Sequence, residues 1–117
     1  MKKILLILAA AIAVAACAGK VPDQVIDTSE MGKDIIGYKG PVPVQVTIKD
    51  GKVESVVALE NQETPKFFDR AAPILHSWDG LKVSKARDLQ VDAVSGATYT
   101  SNAIIANVHL ALDSLQP

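Results

Sequence analysis

From Val42 to Ile48 the chain alternates, with Val42, Val44, Val46 and Ile48 apolar and Pro43, Gln45 and Thr47 between them, before Lys49. A two-residue period is that of a strand with one buried face. Asp50-Gly51 follows, a dipeptide suited to a type I′ hairpin turn, in which both central residues need positive φ. Val53, Ser55, Val57 and Leu59 supply the matching face of a returning strand, so the pattern predicts Ile48 opposite Val53, Val44 opposite Val57 and Val42 opposite Leu59. Pro41 and Pro43 predict that the first strand begins at an edge or is only partly paired. Further on, Thr64-Pro65 fits a helix entry, and Phe67, Phe68, Ala71, Ala72 and Leu75 recur at helical spacing. That predicts a helix over about 65–77, with Pro73 as a source of distortion. Trp78-Asp79-Gly80 reads as a turn, and 81–89 as a short helix or loop. Ile104, Ile105, Val108, Ala111, Leu112 and Leu115 mark one face of a closing amphipathic helix, with Thr100 or Ser101 as its cap. A hairpin sheet covered by two main helices is an α+β domain.

The beginning of the chain has a different pattern. Lys2 and Lys3 precede the uncharged run Ile4–Ala16. At roughly a dozen residues it falls short of the about 20 that a membrane span needs, and a basic start with small residues at its end reads as a secretory signal. Val14-Ala15-Ala16-Cys17 resembles the lipobox of bacterial lipoproteins, in which the cysteine is lipidated and becomes the new N-terminus. An ordinary signal peptide or an uncleaved anchor are the other readings of the same run. Residues 18 to about 33 are polar with little periodicity and read as a tether between lipid and domain. The organisation expected is a signal peptide at 1–16, a lipidated start and tether at 17–34 and one domain at 35–117, exported and facing the periplasm or the cell exterior.

Composition narrows the possibilities. Cys17 is the single cysteine, so an intramolecular disulfide and a cysteine-based metal cluster are both excluded. The net charge of −1 comes with no basic cluster, which removes the electrostatic footprint of nucleic-acid binding. His76 and His109 lack metal-ligand spacing and read as structural or exposed.

The densest chemistry lies in Asp92-Ala93-Val94-Ser95-Gly96-Ala97-Thr98-Tyr99-Thr100-Ser101, just before the closing helix. Hydroxyls, a glycine and a helix N-terminus are the parts that hold a phosphate, because the first N–H groups of a helix are unpaired and its positive dipole end favours an anion. Gly96 and Ala97 leave the backbone open to close approach, while Ser95 and Thr100 are candidate donors to phosphate oxygens.

Ser95-Gly96-Ala97-Thr98 resembles the flavinylation signature of FMN-binding domains. Gly37-Tyr38-Lys39-Gly40-Pro41, the alternating strand, Asp50-Gly51-Lys52-Val53 and Glu63-Thr64-Pro65 precede it in the order seen in that family. Together they look like a stand-alone FMN-binding domain over about 37–115, similar to the covalently flavinylated periplasmic domains of sodium-pumping NADH:quinone reductase and its ferredoxin-linked relative. The family's acceptor pattern of Asp, two variable residues, Ser or Thr, Gly, Ala and Thr falls on Asp92, Ser95, Gly96, Ala97 and Thr98 without departure. The resemblance implies covalent FMN on Thr98, with Asp92, Ser95, Gly96, Ala97, Tyr99, Thr100 and Ser101 around it. It also implies a magnesium-dependent flavin transferase that draws on FAD. The expected role is electron relay between partner proteins rather than catalysis on a substrate of its own, since the redox chemistry is the cofactor's.

Other roles for the same residues stay open at this level. Thr98 also suits a capping hydroxyl, and Asp92 a loop-steadying side chain. Tyr38, Trp78 and Tyr99 suit either stacking on a flavin ring or ordinary packing. Glu63 is either near the flavin or a solvated loop charge. For the whole chain, a noncovalent FMN-binding or sensing module and a structural lipoprotein without cofactor are the alternatives. Ser95 has no nucleophile elbow around it, which disfavours a hydrolase.

Overall fold

A computed structural model describes residues 21–115; Cys17 and the expected signal lie outside the described residues. Three strands form one antiparallel sheet in the order β1-β2-β3: β1 is Gln24–Asp27, β2 Val44–Lys49 and β3 Lys52–Ala58. Helix α1 is Pro65–Ala71, a 3₁₀ segment runs over Ala72–His76, α2 is Val83–Asp88 and α3 is Thr98–Asp113. The fold is α+β, as the patterning predicts.

The hairpin turn forms as its sequence requires, with φ 55 at Asp50 and 74 at Gly51. Ile48 pairs with Val53, but a β-bulge then shifts the register. Thr47 faces Ser55, leaving Glu54 unpaired, and beyond it Val46 faces Val56 and Val44 faces Ala58. The expected pairing of Val44 with Val57 is therefore wrong by one residue. Val56 is 3% exposed and Val57 46%, the reverse of simple alternation. An extra residue in one strand flips every later side chain, so adjacent valines at 56 and 57 left the face undecided until the bulge chose it.

The tether also needs correction from Gln24 onward. Gln24 pairs with Ile48 and Asp27 with Gln45, which makes β2 the central strand. Thr28 is buried, its N–H donating to the Val44 carbonyl (3.0 Å) and its hydroxyl accepting the Val44 N–H (2.9 Å). Pro41 and Pro43 lie just before β2 rather than on an edge strand; Pro41 bridges only to Ile36, and the Pro43 carbonyl accepts the Leu59 N–H.

Pro73 divides the first helical region as expected. It has no N–H to give the preceding turn, and the α-helix gives way to the 3₁₀ segment at Ala72. The short-helix reading of 81–89 holds as α2. α3 crosses β2 and packs on α1, α2 and the 3₁₀ segment. Val42, Val44, Val46 and Ile48 below it, and Ile104, Val108, Ala111 and Leu112 within it, are fully buried. Each larger side chain contributes about 1.5–3 kcal/mol by leaving water. Trp78 is also fully buried, edge-on to His109 with ring centroids 6.3 Å apart, so it is core and has no access to a ligand.

Candidate functional site

α3 begins three residues earlier than its apolar face suggests. Gly96, at φ 86, turns the chain, the Ala97 N–H returns to the Val94 carbonyl (2.9 Å), and the helix opens at Thr98 with Ala97 in the cap position. Thr100 and Ser101 are thus inside the first turn, not caps. The helix has no side-chain cap, so the N–H groups of its first residues point outward without helical partners.

The four aliphatic hydroxyls of this segment separate by environment. Ser101 is buried and its Oγ accepts the Val94 N–H (3.1 Å), closing the loop onto the helix. Thr100 is buried and donates its hydroxyl to Glu63 Oε1 at 2.5 Å. The Thr100 hydroxyl proton is thus directed at Glu63 rather than toward the phosphate position expected of it. Ser95 and Thr98 are exposed, and of these two only Thr98 lines the adjacent cleft. Ala97 is buried and also lines the cleft. Asp92 is exposed and has no hydrogen bond among the described residues, so it does not steady the loop.

The cleft has a volume of about 220 Å³ and opens to solvent beside the exposed Tyr38, Thr98 and Tyr99. It is lined by Gly96, Ala97, Thr98 and Thr100 of the acceptor segment and by the aromatic residues Tyr38, Phe67 and Tyr99. Tyr38 meets Phe67 edge-on, centroids 5.2 Å apart, and Tyr99 at 6.2 Å with planes tilted 30°. Tyr38 is 51% and Tyr99 66% exposed, so large apolar faces are presented where a flat ring would lie.

Glu63 holds Tyr38 in place. It is 7% exposed, not a solvated loop charge. Its carboxylate accepts the N–H groups of Tyr38 and Lys39 (2.7 Å each) and Gly40 (3.3 Å), besides the Thr100 hydroxyl. Successive N–H groups converging on one anion form a nest. Gly37 makes room for it, since a Cβ there would run into the carboxylate. Burial pushes the Glu63 pKa up and is the largest single influence. The Thr100 hydroxyl and the three N–H groups together outweigh it and hold the carboxyl below its ordinary value. One buried charge thereby ties the loop carrying Tyr38 to the first turn of α3.

Phe67, which its spacing places in a helix core, lines the cleft, and Glu63, for which the sequence left a solvated loop charge open beside a place near the flavin, is buried next to it. Phe67-Phe68 was itself a signal, because two adjacent large residues on a seven-residue helix cannot share one buried face. Arg70, three residues after Phe67 and so on the same side of α1, is a further neighbour: a Cβ on Gly96 would collide with its guanidinium.

The family model of the FMN-binding domain matches residues 37–113, from the nest glycine to the last residue of α3. No curated protein and no solved structure matches the chain. The residues fit the cofactor: the exposed Thr98 and the uncapped N-terminus of α3 stand beside an aromatic wall, with the Arg70 guanidinium over Gly96. The chain belongs to the FMN-binding domain family, and it is a flavoprotein.

Proposed function

We propose that this FMN-binding domain protein holds its FMN covalently, by a phosphoester on Thr98, and relays electrons outside the cytoplasm from a lipid anchor at Cys17. The observation that carries the attachment is the sorting of hydroxyls: Thr98 alone combines exposure, freedom from internal hydrogen bonds and a place in the cleft. In the attachment step Thr98 Oγ forms a bond to the FMN phosphorus of FAD, the pyrophosphate P–O bond breaks, and AMP leaves. The hydroxyl proton passes to a base of the magnesium-dependent transferase. The chain itself offers an exposed hydroxyl on an open turn, which suits entry into another enzyme's active site.

Bound FMN supplies the electron-transfer chemistry. The chain's part is positional. The unpaired N–H groups at the start of α3 would hold the phosphate, and Tyr38, Phe67 and Tyr99 would offer a surface for the ring. Glu63 fixes that surface relative to Thr98. The exposed rings of Tyr38 and Tyr99 beside the cleft suit exchange with a partner protein. An anchor at Cys17 would act through a short leash, since the six residues 18–23 before β1 reach at most about 20 Å.

The test is in-gel flavin fluorescence after full denaturation, comparing the wild-type chain with Thr98→Ala, each co-expressed with and without a flavin transferase. Fluorescence that needs the transferase and vanishes in the variant is the expected result. A dark wild-type band beside a loaded control domain would sink the covalent reading and leave the cleft as a noncovalent FMN site.

A further inference from the structure

We propose that Arg70 is the counter-charge of the flavin phosphate at Thr98, and that Gly96 is a glycine partly so that this guanidinium can lie over the acceptor turn. The proposal rests on the attachment reading above and adds a residue outside the acceptor motif. Three observations lead to it. The Arg70 side chain occupies the space that a Cβ on Gly96 would need, two residues before Thr98. It has neither a carboxylate nor a hydrogen-bonding partner among the described residues, where the one ion pair is His76 with Asp79. It also stands against the N-terminal end of α3, which has no side-chain cap and carries the positive end of the helix dipole.

A cation at the positive end of α3 is repelled; the place of Arg70 in the last turn of α1 offsets part of that but gives its guanidinium no hydrogen-bond acceptor. An anion seated between them removes the repulsion and satisfies both donors. A phosphodiester matches that need. It carries one negative charge on two free oxygens, and the planar fork of arginine can donate to both. The unpaired N–H groups of α3 would be further donors to the same oxygens. Phe67, on the same side of α1 as Arg70, lines the cleft, so one helix would contact phosphate and ring together.

The test uses the ¹⁵N-labelled full chain before and after loading by the transferase, with loading verified by fluorescence after denaturation. The Arg70 Nε–H resonance is assigned by its absence from the spectrum of Arg70→Lys. Loading is expected to move it downfield, and the ³¹P resonance of loaded Arg70→Gln should be displaced from wild type. Arg70→Gln should load about tenfold more slowly, with Arg70→Lys recovering part of the rate. If Arg70→Gln does not load, loaded Arg70→Lys takes its place in the ³¹P comparison. A wild-type chain that loads with its Arg70 signal unmoved overturns the proposal, whatever the variants do. A wild-type chain that does not load overturns the attachment reading instead, so the two failures are distinct.

Discussion

α3 meets an arginine at each end, and the two are treated differently. At the C-terminal end Arg87 donates from Nε and Nη2 to the Leu112 carbonyl, at 3.1 and 2.9 Å, and Ser114 Oγ donates to the Ala111 carbonyl at 2.8 Å. There a cation meets the negative end of the dipole and satisfies an orphan acceptor, which stabilises the fold. At the N-terminal end Arg70 lies over Gly96 without an acceptor, and the helix has no side-chain cap. One end has its Ala111 and Leu112 carbonyls met by side chains of the chain itself, while the other has donors and positive charge but no anion. The contrast separates a part of the helix that serves folding from a part left ready for a ligand.

Substitutions can break the contrast in order of size. Thr98→Ala should have the largest functional effect, complete loss of covalent flavin, while the exposed position keeps the stability change within about 0.5 kcal/mol. Leu112→Ala, at the closed end, should do the opposite. It opens a cavity in a fully buried site and costs about 3 kcal/mol by urea denaturation, with flavin loading retained under native conditions.

Glu63→Gln should cost about 2 kcal/mol, because an amide cannot accept from all four donors as the carboxylate does. Its sign with pH is fixed by the lowered pKa. Below the ordinary value of about 4.3 the unfolded chain takes up a proton before the folded one does. The charged form's stabilisation is thus present above that pH and is lost as pH falls through the folded value. Asp27, lowered by its bonds to Ser29, contributes to the same acid limb. The difference between wild type and Glu63→Gln therefore isolates the Glu63 share, and it should shrink toward pH 3. A gap that stays constant from pH 7 to pH 3 would deny the carboxylate this role.

The smallest effects sharpen the comparison most directly. Arg87→Gln should cost about 1 kcal/mol in thermal unfolding. Arg70→Gln in the flavin-free chain should lie within about 0.5 kcal/mol of wild type, since it removes a cation both from the positive end of α3 and from the favourable last turn of α1. Equal losses at both ends would mean that Arg70 has a structural partner after all.

Local signals read correctly wherever the physics is local. Asp50-Gly51 forces the hairpin because its neighbours cannot easily replace a glycine at φ 74. Pro73 ends α1 by removing one donor, and the apolar face of α3 from Ile104 to Leu112 packs as its spacing requires. Strand β1 escaped notice because Gln24-Val-Ile-Asp27 has no alternation of its own and depends on β2 for every pairing. The bulge was equally hidden, since Val56 and Val57 satisfy the same pattern on opposite faces.

The acceptor segment divides along the same line. By itself the sequence determined the hairpin, the α+β class, the family motif and the identity of Thr98 as a candidate acceptor, because each depends on residues close together in the chain. Only the tertiary structure decided which hydroxyls remain free. Thr100 is engaged by a carboxylate 37 residues away, and that carboxylate is held by amides of residues 38 to 40. Arg70 likewise reaches Gly96 only through the packing of α1 on α3. A donor's availability depends on every group that can reach it in space, and spacing along the chain carries no record of those.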